Sequence, residues 1–438
     1  MKIVGKVRFF YTYLSDWREG GVLCKTMIYV CDAIMGTGKS SAAITYMNEH
    51  PDKRFIYITP YLDEATRIAE ACKSMHFFEP QKKSEYSGSK TLHTMELVNE
   101  GRNIATTHQA FRYYPHDLLD LIREQHYTII IDENVDVLET SEIDPYDVQM
   151  AIDAKYVEEY EPNLFRLTKD TYNGQAFKDL FRIMQSRDLI RVKDAKDDSF
   201  YFWRFPPELI TSFDDVFILT YLFEGQGLHH FLEIHRLPYR YIGIERLGDR
   251  NYRFSDTVNY VPPYVKSLPK KIHIVENEKL NQIGDDYFAL SLNWFKRDPE
   301  NVIRLKNNLY NFFFNIAPKK AASYKLWSTY TGAERKLRGK GYSKGFLPFN
   351  TKATNKYKEK TVLSYCVNIF MNVGQKLYYQ SRGIEVDEDA YALSIMVQWV
   401  WRSAIRDGEE VYIYIPSRRM RELLQNWIKS VSTGGDTP

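Results

Sequence analysis

Cysteine is scarce in this chain. The 438 residues include four cysteines, Cys24, Cys31, Cys72 and Cys366, and no two of them form a C-x-x-C pair. Disulfide frameworks and zinc sites of small proteins require cysteines at close, regular spacing. The sequence therefore predicts neither kind of site, and it favours a reducing, cytoplasmic setting.

Long apolar runs are also missing. No stretch approaches the ~18 apolar residues of a membrane-spanning helix, and the N-terminal residues lack an apolar segment followed by a small-residue cleavage site. We therefore expect no membrane partner. Hydrophobic residues nevertheless make up 44% of the chain and aromatic residues 15%, which is enough for sizeable folded cores.

The chain has almost no excess of charge of either sign. Lys and Arg number 59 and Asp and Glu number 57, so the formal net charge is +2. The distribution is uneven, because residues 132–161 carry eleven acidic residues and one lysine, whereas residues 334–360 carry nine basic residues and two glutamates. A basic segment of this kind can follow the phosphates of a nucleic acid.

The sequence does contain the pattern of a phosphate-binding loop. An apolar run at residues 27–31 leads into A-I-M-G-T-G-K-S at residues 33–40, and a helical pattern follows. Glycines allow the backbone N–H groups to face phosphate oxygens, the lysine would reach the β- and γ-phosphates, and Ser40 would hold Mg²⁺. A glycine-rich turn that merely precedes a lysine is the alternative. The predicted nucleotide-binding residues are Gly36, Thr37, Gly38, Lys39, Ser40 and Ser41.

Further β-rich runs at residues 54–59, 103–106 and 127–131 alternate with helical patterns. This alternation predicts a parallel, doubly wound α/β sheet whose functional groups lie at the carboxyl ends of the strands. Asp132 and Glu133 follow the last of these runs directly. We expect Asp132 to hold Mg²⁺ with Ser40 and Glu133 to orient or deprotonate the attacking water. An ordinary helix cap with a solvated first turn is the alternative.

The remaining chain divides by composition. We predict a first lobe at residues 1–140 and 211–240, opening with a strand or hairpin, and an inserted subdomain at 141–210. A proline-rich linker is expected at 241–268 and a second lobe at 269–438. The aromatic run at residues 200–205 suits core packing or, as a weaker alternative, the stacking of bases.

Two patterns in the second lobe predict binding or catalytic residues. Lys336, Arg338, Lys340 and Lys344 are interleaved with glycine and tyrosine, which predicts a groove that follows a nucleic-acid backbone, with a solvated loop as the alternative. Gln398, Arg402 and Arg406 are spaced by four residues, so one helix would place all three near one face. Such a face could present a guanidinium to a γ-phosphate.

Together these motifs resemble those of superfamily 2 DEAD-like helicases of the kind that bacteriophages encode. The resemblance assigns motif I to residues 33–40, motif II to Asp132 and Glu133, motif III to residues 219–220 and motif VI to residues 398–406. It implies two RecA-like P-loop lobes with Mg-ATP bound between them. The catalytic residues that it implies are Lys39, Glu133, Gln398, Arg402 and Arg406. The nucleic-acid contacts that it implies are Thr59 and Pro60, then Thr107, His108 and Gln109, and Asn355 in a weak motif V at residues 350–355.

Motif VI departs from the family pattern, because Trp401 replaces a glycine and the second arginine comes one residue late. The sequence therefore leaves open whether Arg402 or Arg406 is the arginine finger.

The expected function is that of an ATP- and Mg²⁺-dependent helicase or translocase acting on single-stranded or forked DNA. It would work in phage DNA replication or recombination, with proteins of those processes as further candidate partners, in the bacterial cytoplasm. The alternative is an ATP-gated DNA-binding or regulatory protein that separates no strands. A phage packaging motor is not expected, because only about thirty residues follow Arg406, too few for a nuclease domain.

Overall fold

The computed structural model describes residues 26–72, 75–86, 88–169, 171–193, 199–351 and 356–434. The expected opening strand or hairpin, Asn355 and most of the motif V candidate lie outside these residues.

Strands and helices alternate through the first part of the chain, as the sequence pattern predicts. The strands are β1 (Met27–Asp32), β2 (Arg54–Thr59), β3 (Ile104–Thr107) and β4 (Tyr127–Asp132). The helices are α1 (Lys39–Glu49), α2 (Leu62–Ala71), α3 (Lys90–Asn99), α4 (His108–Phe111) and α5 (His116–Glu124).

The insertion that follows, residues 138–204, has its own antiparallel sheet of five strands in the order β5-β9-β8-β7-β6. Its elements are β5 (Leu138–Thr140), α6 (Pro145–Asp153), β6 (Val157–Glu161), β7 (Leu164–Leu167), α7 (Lys178–Met184), β8 (Asp188–Lys193) and β9 (Ser199–Arg204). The aromatic run at residues 200–205 forms β9, and Tyr201, Phe202 and Trp203 are buried. Most of this run therefore packs in a core, the first of its two predicted roles.

The chain then returns to the first sheet through α8 (Glu208–Thr211), β10 (Asp215–Thr220), α9 (Gly227–Ile234) and β11 (Tyr239–Tyr241). The completed sheet has six strands in the order β11-β1-β10-β4-β2-β3, and every neighbouring pair is parallel. Strands buried on both faces are rich in Ile, Val and Phe because helices cover both sides of a parallel sheet.

Residues 243–255 form a hairpin of β12 (Gly243–Gly248) and β13 (Asn251–Ser255). Ile244, Tyr252 and Phe254 of this hairpin pack in the same hydrophobic cluster as Ala43 of α1. The composition predicted a linker over 241–268, but this part of it completes the core of the first lobe. These two short strands were not predicted, because the proline-rich composition of the stretch is typical of a linker.

The second lobe contains four strands and eight helices among its described residues. They are α10 (Leu268–Lys271), β14 (Ile272–Ile274), α11 (Glu278–Asn281), α12 (Leu292–Arg297), α13 (Pro299–Asn311), β15 (Lys325–Ser328), α14 (Glu334–Leu337), β16 (Val362–Tyr365), α15 (Val373–Ser381), α16 (Glu388–Val400), β17 (Val411–Tyr414) and α17 (Arg418–Thr433). The strands form a parallel sheet in the order β14-β17-β16-β15. The molecule thus has the predicted fold class, two α/β lobes with an inserted helical and β subdomain.

The two lobes share a hydrophobic cluster that places the ends of β1 and β10 against α16 and α17. Ile34, Tyr221 and Leu222 of the first lobe belong to it, and the indole N–H of Trp427 donates to the Tyr221 hydroxyl at 2.9 Å. A Cβ atom on Gly225 would lie 2.6 Å from the backbone of Ala390 in α16, so a larger residue would separate the lobes. None of the helices in the described ranges combines the length and the apolar character that crossing a bilayer requires.

Candidate functional site

The phosphate loop connects β1 to α1. Gly36 and Gly38 have φ angles of +82° and +90°, values that glycine adopts without the steric cost of a Cβ atom. Gly38 is also the N-cap residue of α1, and the helix has no side-chain cap. The N-terminal N–H groups of this helix therefore remain available to an anion, as the sequence predicts for a phosphate site.

Lys39 is the first residue of α1, and its side chain folds back onto the loop that precedes the helix. Its ammonium donates to the carbonyl oxygens of Ala33 at 2.5 Å and Ile34 at 3.3 Å. Burial lowers the pKa of Lys39, while nearby acidic groups, Asp132 among them, act in the opposite direction. A phosphate oxygen could accept the hydrogen bonds that the Lys39 ammonium donates to these carbonyl oxygens.

Asp132, at the end of β4, joins the phosphate loop to the centre of the sheet. Its Oδ2 atom accepts hydrogen bonds from the Ser40 hydroxyl at 2.9 Å and from the Tyr57 hydroxyl at 2.6 Å. Burial raises the pKa of Asp132 despite these bonds. A serine hydroxyl beside a carboxylate is an all-oxygen donor set of the kind Mg²⁺ prefers, so the predicted Mg²⁺ ligands fit that ion.

Tyr57 contacts Asp132, and the motifs did not indicate it. It lies on β2, opposite Ile130 in the neighbouring strand, and it is fully buried. The available signal was a tyrosine inside an apolar strand, since a buried phenol requires a hydrogen-bond partner. The sequence could not show that this partner is Asp132.

Asp32, the last residue of β1, was also missed. Its carboxylate accepts hydrogen bonds from the backbone N–H groups of Leu222 at 2.8 Å and Phe223 at 3.0 Å. Leu222 has a φ of +59°, which is uncommon for a branched side chain. Asp32 therefore fixes the turn that follows β10, directly after the residues assigned to motif III, against the phosphate loop.

Glu133 and Arg402 meet across the cleft between the lobes. Arg402 Nη2 lies 3.2 Å from both carboxylate oxygens of Glu133, and Arg402 is only 7% exposed. Glu133 has a φ of +66°, and its N–H donates to Leu219 O at 3.0 Å. The first lobe thus directs one carboxylate toward an arginine that the second lobe supplies.

The prediction that one helix carries Gln398, Arg402 and Arg406 on one face is wrong. Helix α16 ends at Val400, and Arg402 lies in the turn that follows. Gln398 is half-buried near the end of the helix, and Arg406 is exposed in the 3₁₀ turn Ala404–Asp407. The chain turns after Trp401, so a spacing of four residues no longer places side chains on a common face.

Two tyrosines from residues beyond β11 contact the phosphate loop. The Tyr264 hydroxyl donates to Met35 O, and a Cβ atom on Gly38 would lie 2.5 Å from the Tyr252 ring. Both tyrosines fall within residues 241–268, where the composition predicted a linker. Only the packing of the hairpin on α1 brings Tyr252 to this position.

The residues assigned to nucleic-acid contacts on the first lobe have different surroundings. Thr59 and His108 are buried, and a ring nitrogen of His108 lies 2.8 Å from Asp132 O. Thr107 is half-buried and caps α4 through its hydroxyl. Pro60 is half-buried, and Gln109 is exposed. Gln109 is therefore the member of this set with the most accessible side chain.

The basic segment follows β15 in the chain. Lys336 donates to Phe295 O at 3.0 Å, and Arg338 pairs with Glu334 at 2.7 Å. Lys340 and Lys344 are exposed. Two of the four predicted cations thus have partners within the protein, and Lys340 and Lys344 are the better candidates for phosphate contacts.

The chain is similar to a protein family, to a solved structure and to a curated protein. Residues 266–428 match the family of the YonV C-terminal Rossmann-like domain. The solved structure of S. tokodaii Xpd4 aligns with 94% of this chain and 94% of that chain, at a TM-score of 0.46 and 11% identity. A structural likeness at this level supports no conclusion about function.

The SPbeta prophage-derived uncharacterized protein YonV of Bacillus subtilis (strain 168) is 38% identical over 418 residues. The alignment covers 92% of this chain and 99% of that protein. At this identity over nearly the whole length of both proteins, the chain belongs to the YonV family.

Proposed function

We propose that the protein is an ATP hydrolase of the helicase or translocase type that acts on DNA. The contact between Glu133 and Arg402 carries this proposal. It joins a carboxylate beside the phosphate loop to a guanidinium from the other lobe. A nucleotide bound between such groups makes hydrolysis depend on the relative position of the lobes, which is what a motor requires.

Each residue of the site has a role in the proposed reaction. Gly36 and Gly38 present backbone N–H groups to the phosphates, and Lys39 moves its ammonium from the loop carbonyls to phosphate oxygens. Glu133 releases Arg402 and orients the attacking water, and the freed guanidinium stabilises the charge that grows on the γ-phosphate.

Mg²⁺, held by Ser40 and Asp132, would neutralise phosphate charge when it is bound. Tyr57 keeps the Asp132 carboxylate oriented through its 2.6 Å hydrogen bond.

The proposal of DNA as the substrate is supported by the basic segment of the second lobe and by the prophage origin of the relative in Bacillus subtilis. The cations Lys340 and Lys344 are exposed, and exposed cations on a flexible stem suit a phosphate backbone. In a prophage protein, replication or recombination of phage DNA is the process in which we expect such an enzyme to act.

The direct test is ATP hydrolysis measured alone and with single-stranded DNA, duplex DNA or RNA. We expect hydrolysis that single-stranded DNA stimulates, and its loss in Lys39→Ala, because the ammonium is needed at the phosphates. Glu133→Gln should still bind Mg-ATP but not hydrolyse it, since an amide cannot take a proton. Lys178→Ala, which changes an exposed lysine of the insertion, is the matched control.

Wild-type turnover in Lys39→Ala would overturn the site assignment. A strand-displacement assay with a trap against reannealing distinguishes a helicase from a translocase or an ATP-gated DNA-binding protein. ATP-dependent displacement is the result expected of a helicase.

A further inference from the structure

Tyr264 lies in the stretch that connects the two lobes, in the 3₁₀ turn Pro263–Ser267 that precedes α10. Its hydroxyl donates to Met35 O in the phosphate loop. A Cβ atom on Gly36, the next residue of that loop, would lie 3.4 Å from the same hydroxyl. The Tyr264 hydroxyl therefore contacts the phosphate loop beside one of its two glycines.

The ring of Tyr264 contacts the residue that precedes Arg402. Its centroid lies 6.2 Å from that of Trp401, and Trp401 is 4% exposed. Burial raises the pKa of Tyr264, and a hydrogen bond from the Trp401 side chain opposes this rise. Because Arg402 follows Trp401 directly, one tyrosine contacts both the phosphate loop and the turn that carries the arginine.

Trp401 has a second aromatic neighbour, Trp427 of α17. The two ring centroids lie 5.7 Å apart, and the ring planes are 88° apart, an edge-to-face arrangement that aromatic pairs favour. Trp427 donates its indole N–H to the Tyr221 hydroxyl at 2.9 Å, and Tyr221 follows β10 of the first lobe. Contacts on two sides therefore fix the position of the Trp401 indole.

The backbone connects Trp401 to the arginine. Trp401 N donates to Val397 O at 3.1 Å. Arg402 N donates to Trp399 O at 3.0 Å, and Arg402 Nη2 then lies 3.2 Å from the Glu133 carboxylate. A shift of the indole would displace this guanidinium, and a misplacement of about 1 Å in a reacting site can lower the rate 10²-fold.

We propose that Tyr264 positions Arg402 for ATP hydrolysis by holding Trp401 against the phosphate loop. Trp401 replaces a glycine of the motif VI pattern, and a glycine would offer no ring for Tyr264 to contact. Arg402 is the group that acts on the phosphate, and Tyr264 acts through it. The inference rests on the proposed function and adds a positioning residue to the same site.

The test is a double-mutant cycle on ATP hydrolysis by the whole chain, measured in single turnovers. Tyr264→Phe keeps the ring and removes only the hydroxyl. Loss of one buried hydrogen bond should lower the rate of hydrolysis by roughly 2- to 12-fold. The Kd for Mg-ATP, measured by equilibrium binding, should not change, because the variant retains Lys39 and the N–H groups of the loop.

The second arm of the cycle uses Arg402→Ala. In this background Tyr264→Phe should cause no further loss of rate, because no guanidinium remains to be positioned. This absence of a further effect distinguishes a residue that acts through Arg402 from one that supports the fold.

Tyr414→Phe is the matched control. Tyr414 is a buried tyrosine of β17 whose hydroxyl donates to Leu280 O at 2.7 Å, and it belongs to a different hydrophobic cluster from Trp401. The variant loses a hydrogen bond of the same kind, so it should lower the urea midpoint of unfolding and leave the rate of hydrolysis unchanged.

An unchanged rate in Tyr264→Phe would overturn the inference, and so would an equal loss of rate in Tyr414→Phe. An equal fold-loss with and without Arg402 would also overturn it, because Tyr264 would then act independently of the arginine. If the wild-type protein hydrolysed no ATP, the proposed function would fail together with this role. Hydrolysis that Tyr264→Phe does not affect would contradict the role of Tyr264 alone, so the two failures are distinguishable.

Discussion

At the scale of single residues, the contact between Glu133 and Arg402 favours Arg402 over Arg406 as the proposed arginine finger. Arg402 is buried beside the carboxylate of Glu133, whereas Arg406 is exposed. A guanidinium that stabilises a γ-phosphate must reach the phosphate loop, and Arg402 already contacts Glu133 from the other lobe, so we propose Arg402 as the arginine finger. The departures of motif VI from the family pattern left that choice open.

We predict that Arg402→Lys lowers kcat by about 10³-fold or more, the range measured for arginine fingers. Lysine keeps the charge but loses the planar fork that contacts two oxygen atoms. Arg406→Lys should keep kcat within a few-fold. Steady-state ATPase assays and equilibrium binding of Mg-ATP check this, and equal loss in both variants would contradict the assignment.

At the scale of elements, helix α9 and the residue that follows it carry two histidines, His230 and His235, whose charged form burial disfavours. His230 is 2% exposed, and its ring lies 4.9 Å from that of Tyr379 in α15. Neither ring nitrogen has a hydrogen-bond partner within the described part of the chain. Burial lowers the pKa of His230 from 6.5 to about 4, and burial with Arg204 and Arg382 lowers that of His235 to about 3.

The free energy of unfolding should therefore decrease in acid. Between pH 6.5 and about 4, the unfolded chain binds a proton at residue 230 that the folded chain excludes, so the free energy of unfolding decreases as the pH drops. From pH 7 to pH 5 we expect a loss of about 2 kcal/mol for each of the two histidines.

Urea unfolding at a series of pH values measures this loss. His230→Phe should flatten the pH dependence because phenylalanine does not titrate, while His116→Ala, at an exposed site in α5, should leave it unchanged. An identical pH dependence in His230→Phe and the wild-type protein would contradict the prediction.

At the scale of the whole molecule, charge is distributed between the lobes rather than accumulated overall. The basic segment lies on the second lobe and the acidic residues of the site, Asp32, Asp132 and Glu133, lie on the first. A net charge of +2 therefore does not describe the local charge of either region, because electrostatic attraction is screened beyond about 10 Å.

We predict that the double variant Lys340→Gln with Lys344→Gln weakens binding to single-stranded DNA of every sequence. Each phosphate contact contributes about 0.7 to the slope of log K against log salt, so two lost contacts should flatten the slope by roughly 1.4. Fluorescence anisotropy across a salt series measures the slope. Lys178→Gln, in the insertion, should leave it unchanged, and an unchanged slope in the double variant would mean that the segment is a solvated loop.

The sequence by itself determined the local parts of this protein. The apolar run before residues 33–40 and the glycines within them predicted a strand, a loop and a helix in that order. The alternation of later runs predicted a parallel sheet, and Asp132 was placed at the end of a strand. These features depend on neighbours within about twenty residues, so the periodicity of the hydrophobic residues and the turn residues are enough to predict them.

The tertiary structure alone decided which distant groups meet. Tyr57 reaches Asp132, Arg402 reaches Glu133 across 269 residues of chain, and Tyr264 reaches Met35. The proline-rich stretch became a hairpin because its alternating apolar residues cover α1. No sequence period encodes such contacts, because they depend on how twisted sheets and their helices pack. Helix α16 ends at Val400, two residues before Arg402, and the end of a helix changes the direction of every side chain beyond it.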